Sequence, residues 1–382
     1  MDLKKQALKI HKKSKGKIAT KVKTKIKNTK DLSLVYTPGV AEVCKEIAKD
    51  KSKLYDYTIK SNTVAVITDG SAVLGLGNIG PEAALPVMEG KCVLFKELAD
   101  INAFPICINT QDTQEIIQFV KNIAPVFGGI NLEDISAPRC FEIEESLQDL
   151  GIPVYHDDQH GTAIITLAAL INSAKLAKKD IKKLNIVMSG AGAAGIAMLK
   201  LFNFYGIGLS NSVVCDSKGI IYKGRDNLNK QKEEIAELTN SSLQKGELKD
   251  AFKNKDVFIG VSAANLVTKE MIMDMNKDSI VLAMANPDPE ILPNEAKEAG
   301  AFIVGTGRSD FPNQVNNCLG FPGLFKGALE AKATKLTNEM KAAAAEAIAN
   351  CVENPDTDRI VPAALDKQVP IKIAEAIVKC MT

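Results

Sequence analysis

The segment from Ile186 to Gly195 constrains the fold of this chain more than any other. It reads Ile-Val-Met-Ser-Gly-Ala-Gly-Ala-Ala-Gly, so an apolar run ends in a glycine-rich turn, and a helical pattern follows from Ile196 to Tyr205. A second apolar run, Val213-Val214-Cys215, follows that helix and closes on Asp216. This order of strand, tight turn, helix and strand predicts a β-α-β unit in a parallel sheet.

The three glycines of the turn are placed as a dinucleotide pyrophosphate would require. Gly190 permits the tight turn, Gly192 lets the backbone approach the phosphates, and Gly195 lets the helix pack close to the strand. The first amides of the helix, at Ala193 and Ala194, would face the anion. The turn therefore predicts a nicotinamide dinucleotide site.

The acidic residue that ends the second strand bears on which dinucleotide is bound. Asp216 can accept hydrogen bonds from both ribose hydroxyls of NAD, and it would repel the 2′-phosphate of NADP. NAD is thus the predicted cofactor. NADP stays open as an alternative, because Lys218 could pair with a 2′-phosphate.

Length and composition indicate an ordinary globular protein of two domains. The chain has 382 residues, 46% hydrophobic and 25% charged, with a formal net charge of +2. We predict one domain over residues 1–155 and a dinucleotide-binding domain with C-terminal helices over residues 156–382. The first thirty residues hold twelve lysines and no aromatic residue. We interpret them as a solvated basic face, and we expect neither a nucleic-acid nor a membrane partner.

The cysteines favour a reducing compartment. Eight are scattered along the chain without any C-x-x-C pair. Neither a signal peptide nor an apolar span of membrane length is evident. We therefore expect reduced cysteines and a cytoplasmic protein.

Alternating strand and helix patterns predict a mixed α/β class. A Rossmann-type, doubly wound parallel sheet would form the second domain, and a smaller α/β unit the first. Predicted strands are Val64–Thr68, Phe104–Ile108, Val154–Tyr155, Leu184–Met188, Ser212–Cys215, Val257–Val261, Ile280–Ala283 and Phe302–Val304. Predicted helices include Pro81–Leu98, Thr113–Ile123, Phe141–Leu150, Thr162–Ala177, Met340–Val352 and Ile371–Met381. The C-terminal helices could brace the second domain or fold back over the first.

Two acidic pairs follow short apolar strands, at Glu133-Asp134 and Asp157-Asp158. The carboxyl ends of parallel strands are where α/β sheets place their sites. Converging carboxylates repel one another unless a divalent cation neutralises them, and oxygen ligands favour Mg²⁺ or Mn²⁺. His156 and His160 raise zinc as an alternative, although the chain has one other histidine.

Lys91 and Tyr36 are candidates for proton transfer. Lys91 lies near the end of an apolar helix, where a lysine either extends its ammonium to water or acts as a general base. A divalent cation beside it would lower its pKa. Tyr36 precedes Pro38-Gly39, so its hydroxyl lies on a turn, where it either packs or donates a proton.

Seven segments in this order resemble the malic enzymes, in their short prokaryotic form. They are Tyr-Thr-Pro-Gly-Val-Ala at 36–41, Thr-Asp-Gly-Ser-Ala-Val-Leu-Gly-Leu-Gly-Asn-Ile-Gly at 68–80, Glu-Gly-Lys at 89–91, Asn-Leu-Glu-Asp at 131–134, His-Asp-Asp-Gln-His-Gly-Thr-Ala at 156–163, Asn-Pro at 286–287 and Gly-Arg-Ser-Asp-Phe-Pro-Asn-Gln-Val-Asn-Asn at 307–317. The resemblance implies oxidative decarboxylation of (S)-malate to pyruvate and CO₂ with reduction of NAD(P)⁺.

The resemblance also implies a role for each matching residue. Lys91 would be the general base, Tyr36 the general acid, and Asp157 the partner that orients the catalytic groups. Mg²⁺ or Mn²⁺ would be bound by Glu133, Asp134 and Asp158, and would act as the Lewis acid. Malate would be held by Asn286 and Asn317 with Lys91, and Asn286 would also contact the cofactor.

One departure from the larger eukaryotic-type enzymes concerns the substrate. Their loop carries an arginine that grips substrate and cofactor, whereas this chain has Ser71-Ala72-Val73. Arg308, or the loop amides of Gly75 and Gly77, are the alternatives for that role.

Three further expectations complete the sequence-based prediction. The resemblance and base rates favour a two-fold homodimer. A malolactic-type enzyme, which converts malate to lactate, is the nearest rival. A non-catalytic NAD-binding regulator is the more distant one, and it predicts loss of Lys91, Tyr36 or a metal carboxylate, all of which are present.

Overall fold

The structure, a computed structural model, describes residues 3–73 and 75–381. Met1, Asp2 and Thr382, at the ends of the predicted domains, and Leu74, within the 68–80 motif, lie outside the described residues. The described chain contains two β-sheets covered by helices. The predicted α/β class is confirmed.

The first sheet has four parallel strands in the order β2-β1-β3-β4. Alternate residues of β1 enter two different apolar cores, with Val64 and Val66 on one face and Ala65 and Ile67 on the other. A strand covered on both faces is apolar throughout, which is why β1 shows no polar alternation. The strands are β1 Thr63–Thr68, β2 Asn102–Cys107, β3 Gly129–Leu132 and β4 Val154–His156.

The second sheet has six strands in the order β10-β9-β8-β5-β6-β7. Its first five strands are parallel, as a Rossmann-type fold requires, and β7 runs antiparallel at the edge. The sequence prediction missed β7, which has only two residues. The strands are β5 Ile186–Ser189, β6 Val213–Asp216, β7 Gly219–Ile220, β8 Val257–Gly260, β9 Ile280–Ala283 and β10 Ile303–Thr306.

Fifteen α-helices surround the sheets in the described chain. In the N-terminal half they are α1 Leu3–Ser14, α2 Thr29–Val35, α3 Val40–Lys49, α4 Leu54–Tyr57, α5 Pro81–Ala99, α6 Thr113–Ile123, α7 Arg139–Glu145 and α8 Asp157–Leu176. In the C-terminal half they are α9 Ala193–Tyr205, α10 Lys230–Leu238, α11 Lys269–Met273, α12 Pro293–Glu298, α13 Phe321–Glu330, α14 Asn338–Asn350 and α15 Gln368–Lys379. In the part of the chain that the structure covers, no helix combines the length and apolarity needed to cross a membrane.

The C-terminal helices both brace the second domain and fold back over the first, which were the two alternatives that the sequence left open. Helix α14 packs against α8 and α9 of the predicted second domain, whereas α13 packs against α5 of the predicted first domain and against α15. The phenyl rings of Phe95 in α5 and Phe321 in α13 meet edge to face with centroids 4.7 Å apart. The apolar core is therefore shared across the predicted domain boundary.

Two predicted helices differ from the structure in ways that matter for the site. Helix α8 begins at Asp157, five positions before the predicted start at Thr162, so the second acidic pair forms its first turn. Helix α7 begins at Arg139 and ends at Glu145, earlier at both ends than the predicted Phe141–Leu150. In both cases, charged residues that the sequence placed in loops lie on a helix in the structure.

Candidate functional site

The predicted acidic pairs and Lys91 meet at the carboxyl edge of the first sheet. Glu133 and Asp134 follow β3 directly, and Asp157 and Asp158 follow β4, the neighbouring strand. Helix α5 packs on the same sheet and brings Lys91 to this edge.

Lys91 is the centre of the cluster. Its side chain is 8% exposed, and its ammonium lies 2.8 Å from a carboxylate oxygen of Glu133 and donates a hydrogen bond to Asp157. The ammonium also lies 4.3 Å from the centroid of the Phe321 ring, a cation–π distance. A lysine that extended to water would be exposed, so that interpretation is excluded for this structure.

The cluster shifts the pKa values of Lys91, Glu133, Asp157 and Asp158. Burial by itself lowers the pKa of Lys91, but the charges of Asp157 and Glu133 outweigh it and hold that pKa well above its usual value. Burial, opposed by Lys91, raises the pKa of Glu133 to about 7 and the pKa values of Asp157 and Asp158 to about 6. Carboxylates with raised pKa values are short of positive charge, and a cation would supply it.

Glu133, Asp134 and Asp158 offer the donor set that a divalent metal needs. One oxygen from each lies within 4.8 Å of the others. The backbone N–H of Asp134 donates to Asp158 at 2.7 Å, which ties the two acidic pairs together. The three residues present only carboxylate oxygens, which favours Mg²⁺ or Mn²⁺ over zinc. His156 is fully buried and lies 3.9 Å from Asp158, while His160 bonds to Glu144 instead.

Of the two predicted malate ligands in the second half of the chain, Asn317 lies beside the cluster and Asn286 lies beside the glycine-rich loop. A Cβ on Gly161 would lie 3.0 Å from the Cβ of Asn317 and 2.0 Å from an oxygen of Asp157. Asn317 and Asp157 therefore pack side by side against Gly161. Asn286 follows β9, and its carbonyl oxygen would lie 2.7 Å from a Cβ on Gly75. The glycine-rich loop after β1 thus lies against Asn286.

Tyr36 does not lie in the cluster in this structure. It directly follows α2 in the N-terminal segment, and it is 67% exposed. Within residues 3–73 and 75–381, no hydrogen bond joins its hydroxyl to Lys91 or Asp157. Its predicted role as general acid rests on the sequence motif.

The structure also bears on the missing loop arginine. The guanidinium of Arg308 is bonded to Asp288 at 3.0 Å and to Asp310 at 2.7 Å, so its charge is already compensated. The loop at Gly75 lies against the carbonyl of Asn286. Both alternatives for the substrate carboxylate stay predictions.

The glycine turn has the geometry that a pyrophosphate site requires. Gly190 has a φ of +116°, and a Cβ there would lie 2.5 Å from the carbonyl oxygen of Val261. A Cβ on Gly195 would lie 2.1 Å from the carbonyl oxygen of Gly190, so only glycine lets α9 pack this close. No atom of the described chain lies within 4 Å of a Cβ built on Gly192, which leaves that backbone open to a ligand.

Asp216 has two cationic partners that the sequence analysis did not identify. Its carboxylate accepts hydrogen bonds from Arg225 and, at 2.6 Å, from Lys232, and it accepts the N–H of Lys218 at 2.9 Å. Although burial raises the pKa of Asp216, Arg225 and Lys232 outweigh burial and lower it to about 2. The expected repulsion of a 2′-phosphate is therefore offset by two nearby cations.

Comparisons with known proteins match both halves of the chain to one family. The family model of the malic enzyme N-terminal domain matches residues 14–148, and that of the malic enzyme NAD binding domain matches residues 159–382. The chain is 57% identical to a bifunctional malic/malolactic enzyme of Bacillus subtilis, over 99% of this chain and 93% of that protein. It is 52% identical to an NAD-dependent malic enzyme of Geobacillus stearothermophilus, over 95% and 76%. Other relatives are named NADP-dependent malic enzymes.

A solved structure shows the same fold. The chain superimposes on the NAD-dependent malic enzyme of Thermotoga maritima with a TM-score of 0.94 and 49% identity. The match covers 97% of this chain and 98% of that one. The predicted Rossmann-type domain with a smaller N-terminal domain is thereby confirmed.

Proposed function

This chain belongs to the malic enzyme family of NAD- or NADP-dependent, decarboxylating oxidoreductases, and on that premise we propose that it converts (S)-malate to pyruvate and CO₂ with Mg²⁺ or Mn²⁺. The observation that carries the proposal is the buried contact of Lys91 with Glu133 and Asp157, beside three converging carboxylates. A buried lysine and a carboxylate cluster together supply a proton acceptor and a cation site.

Different side chains transfer protons, position the base and bind malate in the proposed reaction. Lys91 accepts the proton of the malate C2 hydroxyl as hydride leaves C2 for the nicotinamide. Asp157 holds the Lys91 ammonium in place, and Asn286 and Asn317 hold malate from the other side of the cleft. Tyr36 is the proposed proton donor to C3 after CO₂ is lost.

Glu133, Asp134 and Asp158 would hold the metal. When bound, a divalent cation supplies charge that polarises the C2 oxygen of the substrate and that lowers the pKa of Lys91 toward the range a base needs. Without such a charge the carboxylates keep Lys91 protonated.

NAD remains the proposed cofactor, held by Gly190, Gly192, Ala193, Ala194, Gly195 and Asp216. NADP is the alternative that Arg225 and Lys232 strengthen, because both cations lie at the carboxylate where a ribose would bind. We retain the two-fold homodimer and the cytoplasmic location as hypotheses from the resemblance and the sequence.

A malolactic reaction is the second candidate, because the Bacillus subtilis relative is named as bifunctional. In that reaction the hydride returns to pyruvate and lactate leaves. The side chains of the site are the same for both outcomes, so product analysis has to separate them.

The test is an assay of the purified protein with (S)-malate, Mn²⁺ and NAD⁺, in which reduced cofactor, pyruvate and lactate are measured together. We expect NADH with matching pyruvate, loss of activity with a chelator, and a roughly 10²- to 10⁴-fold lower rate for Lys91→Ala. Lys96→Ala, on the same helix but half exposed and paired with Asp100, is the control. Lactate without NADH would establish the malolactic reaction, and neither product with NAD⁺ or NADP⁺ would refute both.

A further inference from the structure

Helix α7 carries two charged residues that the proposed mechanism does not use. Arg139 begins the helix and bonds to residues beside the Glu133-Asp134 pair, whereas Glu144 lies near the end of the helix and bonds to residues beside the Asp157-Asp158 pair. We infer that α7 is a strut, with Arg139 and Glu144 as positioning residues that fix the distance between the Glu133-Asp134 and Asp157-Asp158 pairs. This inference rests on the metal site proposed above.

Arg139 fastens the strand-end loops around the first acidic pair. Its guanidinium donates to the hydroxyls of Ser71 and Ser136, each at 3.0 Å, and lies 3.0 Å from the carboxylate of Asp69. It also donates to the backbone carbonyl of Gln111 after β2. One planar guanidinium therefore joins the loops after β1, β2 and β3, which a lysine ammonium cannot do with the same geometry.

The loops held by Arg139 include the metal-ligand segment itself. The N–H of Ser136 donates to the Ser71 hydroxyl at 2.9 Å, and the N–H of Ala72 donates to the carbonyl of Asp134 at 2.9 Å. Asp134 has a φ of +54°, in the left-handed region that residues other than glycine rarely adopt. These contacts hold Asp134 in that conformation.

Glu144 fastens the second acidic pair from the other end of α7. Its buried carboxylate accepts the backbone N–H of His156 at 3.2 Å and the side chain of Gln159 at 3.0 Å, and it lies 2.8 Å from His160. Asp157 and Asp158 lie between these partners in the first turn of α8. Glu144 thus grips the helical turn that presents them.

Because α7 is bonded at both ends, it sets the distance between the two acidic pairs, which neither end would set alone. Arg139 is bonded to the loop that contains Glu133 and Asp134, and Glu144 to the turn that contains Asp157 and Asp158. Outer partners of metal ligands commonly change metal affinity about 10- to 100-fold when they are mutated. We expect the same here, with no ligand removed.

The experiment measures Mn²⁺ binding by the full chain without substrate, by titration with detection of free Mn²⁺ by electron paramagnetic resonance. Glu144→Gln and Arg139→Lys should each weaken binding about 10- to 100-fold. Glu145→Gln, the exposed neighbour of Glu144, should leave the affinity unchanged. At saturating Mn²⁺ the two α7 variants should recover most of their kcat, which a general loss of structure would not allow.

The double variant tests the strut itself. Once one end is released, the other end no longer sets the spacing, so Arg139→Lys combined with Glu144→Gln should bind Mn²⁺ about as weakly as the worse single variant. Unchanged affinity in the single variants, or losses that add in the logarithm of the affinity, would overturn the inference. Wild-type protein that binds no Mn²⁺ would instead refute the metal site of the proposed function.

A second pair of variants covers the case in which an α7 variant fails to fold. Ser136→Ala removes one acceptor of Arg139, and Gln159→Leu removes one donor to Glu144, each without leaving a buried charge unpaired. Weaker Mn²⁺ binding by these two would support the strut, and wild-type affinity in both would overturn it.

Discussion

At the scale of single residues, Asp216 shows how neighbouring side chains change the binding preference that a residue predicts from the sequence. An acidic residue at the end of β6 predicts a ribose ligand and exclusion of a 2′-phosphate. In the structure Asp216 is bonded to Arg225 and Lys232, nine and sixteen residues further along the chain. Their role was invisible in the sequence, because the turn after β7 and helix α10 bring them back to β6 only in the folded chain.

The contacts of Asp216 predict the effect of removing its charge. Asp216→Ala should raise the KM for NAD, because the ribose hydroxyls lose a charged acceptor worth about 1.5–3 kcal/mol, roughly ten-fold or more. The same change should lower the KM for NADP, because Arg225 and Lys232 lose their carboxylate partner and become available to a phosphate. The measurement is the KM for each cofactor at saturating malate.

Lys232→Gln is the counterpart that checks this explanation. It should raise the KM for NADP and leave the KM for NAD nearly unchanged. Lys223→Gln, whose lysine pairs with Glu237 on an exposed surface, is the control. An equal rise in both KM values for Asp216→Ala would show that the residue supports the fold of the loop and does not select the cofactor.

At the scale of elements, the first turn of α8 carries the closest packing at the site. Gly161 lies one turn after Asp157, and a Cβ there would come within 2.0 Å of the Asp157 carboxylate and 3.0 Å of Asn317. Gly161→Ala should therefore displace both side chains and lower kcat by more than ten-fold, although alanine favours the helix by about 0.5–1 kcal/mol. Steady-state kinetics and thermal unfolding of the variant check this expectation.

Gly90→Ala is the matched control for that helix substitution. Gly90 precedes Lys91 in α5, but a Cβ there meets only the end of the Lys17 side chain, at 3.6 Å. It should leave kcat near the wild-type value. Full activity of Gly161→Ala would mean that the side chain of Asp157 has more freedom than its contacts indicate.

Helix α8 also shows why some element boundaries could not be predicted from the sequence. Strand β9 was predicted at its observed bounds and β1 within one residue, because a run of buried β-branched residues has a clear signal. Helix α8 begins with Asp157, Asp158, Gln159 and His160, polar residues that look like a loop in the sequence. They are helical because Glu144 and Lys91 satisfy their polar groups, and those contacts come from elsewhere in the fold.

At the scale of the whole molecule, the two halves of the chain contribute different groups to the proposed site. The first sheet provides the acidic pairs and the second half provides Asn286, Asn317 and the glycine turn. The sequence pattern predicted the acidic pairs and the glycine turn, and the resemblance added Asn286 and Asn317, but neither gave distances or the position of Tyr36. Helices α13 and α15 pack on α5, and α14 packs on α8 and α9, so a shared apolar core joins the two halves and extends to the Phe321 ring beside Lys91.

The raised carboxylate pKa values make the metal response of the whole molecule depend on pH. Glu133 has a pKa of about 7, and Asp157 and Asp158 have values of about 6, above the usual carboxylate range. In the metal-free protein these groups stabilise the fold fully below their unfolded-state pKa values, and that contribution is lost as pH rises through 6 to 7. His156 and His160, whose pKa values burial lowers, act in the opposite direction, so Tm alone does not isolate the carboxylates.

An increase in Tm on addition of Mg²⁺, which the proposed metal site predicts, would isolate the carboxylates. A cation binds the ionised carboxylates, so it competes with protons below pH 7 and its affinity should fall about ten-fold per pH unit for each proton displaced. Each ten-fold loss of affinity removes about 1.4 kcal/mol of stabilisation at a fixed excess of Mg²⁺. The increase in Tm should therefore be larger at pH 8 than at pH 5.5, and Asp158→Asn should abolish most of that difference. An increase in Tm that is the same at both pH values would show that the cation binds away from this cluster.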